Sequence, residues 1–170
     1  MAKKDGDWTE MIILILLMPV LILVFLIWLL FIVVSSPVIF ADKQWLKFQF
    51  WQRHGRHGRF VVFVYSESPH WKEYIEANIL PHLEPHVITL NWSQRREWRS
   101  RNPFAARIFN EWAGAADFNP MALVFSPEGH VKDVRFVQAF RDFKHGKITL
   151  LKQTEQVLFA EVERIASQAA

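Results

Sequence analysis

The sequence predicts an α/β domain carried behind one N-terminal hydrophobic helix, and three observations predict it. Residues Met11 to Val34 form an apolar run without a charge. From Phe60 onward, short β-branched and aromatic runs alternate with stretches whose apolar residues recur at helical spacing. The chain then closes on a strand, a tight turn, a second strand and a long helix. Four segments follow: a flank over residues 1–10, a transmembrane helix over 11–34, an interfacial segment and basic linker over 35–59, and a soluble domain over 60–170.

The run MIILILLMPVLILVFLIWLLFIVV holds no glycine and a single proline, Pro19. Lipid offers the backbone no hydrogen-bond partner, so such a run must satisfy its own groups as a helix. At about 1.5 Å per residue it reaches roughly 36 Å, against a hydrocarbon core of about 30 Å. The apolar part of a secretory signal spans only about 7–15 residues. Ile39-Phe40-Ala41 also matches a small-x-small cleavage site poorly. The run therefore reads as an uncleaved single-pass anchor, with Pro19 a mild kink.

Trp8 precedes the run, and Trp45, Phe48, Phe50 and Trp51 follow it. Aromatic rings favour the headgroup level, so Asp42 to Trp51 is expected to lie along the bilayer surface. Lys43, Lys47, Arg53, Arg56 and Arg59 outweigh Lys3 and Lys4. That bias points to a cytoplasmic domain. The tandem Arg-His-Gly repeat from Arg53 to Arg59 reads as a flexible, solvated linker. Near an anionic leaflet each of its arginines contributes about 1 kcal/mol of attraction.

The elements of the soluble part follow in order. Phe60 to Tyr65 is a strand buried on both faces. Ser66-Glu67-Ser68-Pro69 is a turn with helix-start chemistry, leading into a helix whose inner face is Trp71, Ile75, Ile79 and Leu83. That helix should end near Pro81 or Pro85. His86 to Trp92 is the second strand. Residues Ser93 to Gly114 form a broken helical stretch, restarted at Asn102-Pro103, with Phe104, Ile108 and Trp112 on one face. Met121 to Phe125 and Val131 to Val137 are strands joined by a turn at Pro127-Glu128-Gly129. A polar loop runs through Gly146, and a last helix to about Ala166 buries Ile148, Leu151, Leu158, Val162 and Ile165.

This β-α-β-α-β-β-α order resembles the three-layer thioredoxin-like fold, over Phe60 to the C-terminus. The resemblance implies an active loop after the first strand, faced by a cis-proline just before the third. Asn119-Pro120 directly precedes Met121 and looks like that proline position. The loop position holds Ser66-Glu67-Ser68-Pro69-His70 and the chain has no cysteine at all. Disulfides, thiolate metal sites, cysteine nucleophiles and dithiol redox chemistry are excluded, so the domain looks like a redox-inactive relative. A ferredoxin-like or other open α/β sandwich is the alternative.

Two groups of candidate residues remain. Ser66, Glu67, Ser68 and His70, with Asn119 and Pro120 opposite, form a candidate ligand loop, since amide N–H groups at a helix start favour anions. Arg95, Arg96, Arg99 and Arg101 with Trp98 form a basic, aromatic face suited to docking a protein or, with Arg53, Arg56 and Arg59, to lipid headgroups. No catalytic set is assembled: there is no Gly-x-Ser-x-Gly elbow. His54 with His57, and His82 with His86 across Pro85, lack further ligands, so no metal or cofactor is expected. A formal charge of only +3 argues against a nucleic-acid binder. The sequence thus reads as a membrane-tethered, non-catalytic accessory or scaffold protein presenting its domain to a protein partner of unknown identity. The rival readings are a small-ligand binder or enzyme using Ser66–His70 opposite Pro120, and an anionic-lipid-binding module.

Overall fold

A computed structural model describes residues 6–101 and 103–169, with side chains at 6–14, 34–40, 99 and 169 outside that description. Lys3, Lys4 and Asn102 therefore lie outside the described residues. The chain divides into two compact units, Met1–Lys43 and Gln44–Ala170.

The first unit is the greater part of α1 (Gly6–Arg53), which continues through Pro19. Within it Ile15–Val33 is long and apolar enough to cross a membrane, with none of that stretch buried. A helix apolar on every side is of the kind found in a protein core or spanning a membrane.

The second unit is mixed α/β. It takes in the last turns of α1 and then β1 (Val61–Tyr65), α2 (Lys72–Tyr74), α3 (Leu80–Leu83) and β2 (Val87–Asn91). It continues with α4 (Trp98–Arg101), α5 (Pro103–Trp112), β3 (Met121–Phe125), β4 (Val131–Arg135), α6 (Val137–Lys144) and α7 (Thr149–Ala169). The four strands form one sheet in the order β2-β1-β3-β4. β1 runs parallel to β2 and antiparallel to β3, and β4 is antiparallel to β3.

Every residue of β1 and β3 is buried, as their unbroken apolar runs predict for central strands covered on both faces. Strand alternation splits them between two cores. Val61, Phe63 and Tyr65 face Ile75, Ile79, Leu83, Phe140, Leu158 and Ile165, while Val62 and Val64 face Leu46, Phe50, Ile108 and Phe109.

Several expectations need correction. The packed unit begins well before Phe60. Residues 44–53 continue α1, and Leu46 and Phe50, one helical turn apart, are fully buried, the Phe50 ring centroid 4.1 Å from that of Phe125. Of its aromatic residues only Trp45 and Phe48 stay exposed, so the segment packs into the domain along its other face. The Arg53–Arg59 repeat is not a loose linker either. Gly55 opens a 3-10 turn, its missing side chain leaving room for the Trp51 ring, and Gly58 takes a left-handed conformation at φ 77°. The repeat's charges point outward while its backbone packs.

The first soluble helix starts at Lys72 instead of at the serines, with the Ser68 carbonyl accepting from the amides of Trp71 and Lys72. Between α2 and α3 the turns widen to π-helix over Ile75–Ile79. Pro81 has no N–H to give four residues back, and a wide turn just before a proline absorbs that gap. β4 stops at Arg135, and α6 occupies most of the expected polar loop, because Phe136, Phe140 and Phe143 recur at helical spacing against the core. Ile148 lies just before α7 and is exposed, and Glu155 joins the buried face of that helix.

Candidate functional site

The loop after β1 and the Asn119–Pro120 pair sit at one end of the sheet, because Val64 pairs with Met121 and the next step brings Tyr65 opposite Pro120. The Asn119–Pro120 peptide is cis. The Asn119 Oδ1 is buried without a hydrogen-bond partner among the described residues.

The loop's polar groups are engaged in holding the loop. Glu67 Oε1 accepts from Asn91 Nδ2 at 2.9 Å and from Gln94 Nε2 at 3.3 Å, and the Glu67 amide donates to Ser93 Oγ at 3.1 Å. Ser68 Oγ accepts from the His70 amide at 3.4 Å. Ser66 is half-buried and His70 exposed. Tyr65, last in β1, donates its hydroxyl to Glu76 Oε1 at 3.0 Å. Burial first, and then that carboxylate, push its pKa up to about 12, so the phenol stays protonated. The adjacent cavity, about 170 Å³, is lined by Tyr65, Thr89, Leu90, Asn91, Gln94, Glu97, Trp98 and Arg101, and not by Ser66, Ser68 or His70.

The basic face is broken up in the same way. Trp98 is buried and donates its ring N–H to the Asn91 carbonyl at 2.9 Å. Arg101 pairs with Glu97 at 3.0 Å, and the Arg95 guanidinium lies 5.2 Å from the Trp92 ring centre. Arg96 is exposed, and the Arg99 side chain lies outside the described residues. Arg53 stacks over Phe104 at 4.6 Å, Arg56 lines a cavity beside Lys47, and Arg59 lines another with Glu84. Each of these three arginines thus meets different neighbours. Among the described residues, no three His, Asp or Glu side chains gather where a metal could be held.

A feature without a sequence-level candidate is the outer edge of β2. The bond from the Val61 amide to the His86 carbonyl, 3.0 Å, sets the phase of the parallel ladder. Alternation then turns the backbone groups of Ile88 and Leu90 toward β1, and those of Val87, Thr89 and Asn91 outward. Trp98 bonds the outward carbonyl of Asn91. The outward groups of Val87 and Thr89 meet no partner among the described residues. Thr89 lines both the cavity described above and a second of about 360 Å³, shared with Arg59, Glu84, Pro85 and Val87. The opposite edge differs: β4 carries Lys132, Asp133 and Arg135, charges that discourage strand addition. The signal was present in the uncharged run Val-Ile-Thr-Leu-Asn, but which strands are edges is a property of the sheet order.

Compared with known proteins, the chain matches no family model, no curated protein and no solved structure.

Proposed function

We propose that this protein is a membrane-tethered, non-catalytic accessory protein whose thioredoxin-like domain docks an extended segment of a partner protein along β2. The tether is supported by Ile15–Val33, whose apolar surface is exposed throughout. The thioredoxin-like reading is supported by the strand order β2-β1-β3-β4 with a parallel β1–β2 pair, and by Pro120 directly before β3. A binding role in place of a catalytic one is supported by the loop chemistry, since the Glu67 carboxylate is already committed to two side-chain amides. The bias of Lys43, Lys47 and Arg53 supports a cytoplasmic domain.

The observation that carries the docking role is the uncharged edge strand with outward donors and acceptors at Val87 and Thr89. A strand added there gains main-chain hydrogen bonds, and the two cavities meeting at Thr89 receive its alternate side chains. At about 0.5–1.5 kcal/mol net per bond, so short an edge supports weak, reversible binding. Thr89→Pro tests it, because the amide that proline removes faces outward and the ladder to β1 keeps its bonds. The partner that co-purifies with the full-length wild-type chain in mild detergent should be lost from Thr89→Pro and kept by Arg96→Ala. Equal recovery with Thr89→Pro would refute docking at this edge.

A further inference from the structure

We propose that the groove between residues 44–56 and the turn after β3 binds the headgroup of an anionic, hydroxylated glycerophospholipid of the phosphatidylglycerol type. The groove encloses about 430 Å³, within the size range of small-ligand sites. Its walls come from the last turns of α1 and from Phe125 to Gly129.

The chemistry of the walls selects the ligand. Lys47 and Arg56 both line the groove, and neither has a hydrogen-bond or ion-pair partner among the described residues. Together they supply two cations for one phosphodiester, the arginine through its planar fork of donors. Gln44, Gln52 and Glu128 line the same space. Their oxygens accept from the hydroxyls of a glycerol headgroup, whereas a trimethylammonium headgroup offers them no donor. Glu128, 3.5 Å from His130 Nδ1, is the one carboxylate among the lining residues, so Lys47 and Arg56 leave the groove's net charge positive.

Apolar surface adjoins the polar site. Trp51 forms one wall, and its ring occupies the space that a side chain at Gly55 would fill. Phe48, 52% exposed, lines the groove and stacks on Trp45, 56% exposed, at 5.6 Å. Exposed rings beside paired cations suit a ligand that joins a phosphate to acyl chains better than they suit a free phosphate. Gln44 also follows Val33 by eleven residues, so the chain limits how far the groove can be from any membrane the apolar helix enters. This last point rests on the tether proposed above, while the site's chemistry does not.

The test is native mass spectrometry of the full-length protein in non-ionic detergent, titrated with phosphatidylglycerol or phosphatidylcholine of matched chains. Wild type should retain phosphatidylglycerol about tenfold better. Lys47→Glu with Arg56→Glu should abolish that preference, while Lys144→Glu with Lys147→Glu, an equal charge change elsewhere, should keep it. Circular dichroism confirms that each variant is folded. Equal retention of both lipids by wild type, equal loss in both double variants, or full displacement by soluble glycerol 3-phosphate at matched concentration would each overturn the proposal. Because the assay is run in detergent, its outcome is independent of whether the helix crosses a bilayer.

Discussion

Tyr65 shows how one buried hydroxyl makes stability depend on pH. Its pKa is raised from 10.0 to about 12, chiefly by burial and then by Glu76. Between those values the unfolded chain has lost a proton that the folded chain keeps, so stability falls as pH rises through that window. At about 1.4 kcal/mol per unit, the loss attributable to this residue is at most about 3 kcal/mol. Urea titrations of Tyr65→Phe should therefore show a shallower decline from pH 10 to 12 than wild type; superimposable declines would deny the phenol this role. Elsewhere Glu155, 4% exposed, accepts from Lys152 Nζ through Oε2 at 2.9 Å, and its Oε1 has no partner among the described residues. Lys152 also donates to the Tyr74 hydroxyl at 2.7 Å. Removing the half-exposed lysine strands a buried carboxylate, so Lys152→Ala should cost about 1–3 kcal/mol, whereas Glu155→Leu should be neutral or stabilising in thermal melts.

At the scale of elements, the end of α1 acts as a structural member of the domain. Phe50 is buried among Phe104, Phe125 and Val64, and Phe50→Ala should cost about 3–5 kcal/mol, a loss of that size being measurable by denaturant unfolding. A chain beginning at Gln44 should unfold cooperatively, and one beginning at Phe60 should lack a sharp transition. Equal cooperativity in both would show that α1 adds nothing to the core. The central strands were legible because a run such as Phe-Val-Val-Phe-Val-Tyr has no exposed face to explain away. The end of α1 was misread because an aromatic near an apolar helix satisfies a headgroup and a core alike. Leu46 and Phe50 alone gave too short a periodic pattern to choose between them. Helix α6 was hidden for a related reason. Arg141, Asp142 and Lys144 dominate its composition, while Phe136, Phe140 and Phe143 carry its packing.

For the whole molecule, the sequence located the conspicuous loop and the basic clusters but not what faces them. Ser66, Glu67, Ser68 and His70 follow a buried strand, but the helix they were expected to start begins only at Lys72. Their use as braces depends on Asn91, Ser93 and Gln94, about 25 residues away in sequence. Trp98 fell out of the docking face because only the folded chain shows its ring N–H closing the Asn91 carbonyl. Arg56, a candidate lipid contact in the sequence, and Lys47, there only a flanking charge, share a groove only once the Ser126–Gly129 turn is laid beside them. All of the proposed roles place the domain beside a bilayer through Ile15–Val33. Alkaline carbonate extraction of membranes from cells making the full-length chain, with intact-mass analysis of the product, tests that placement most directly. The chain should stay in the membrane pellet with Met11 to Val34 still attached. Release of the intact chain into the supernatant, or a product cleaved after the apolar run, would contradict it.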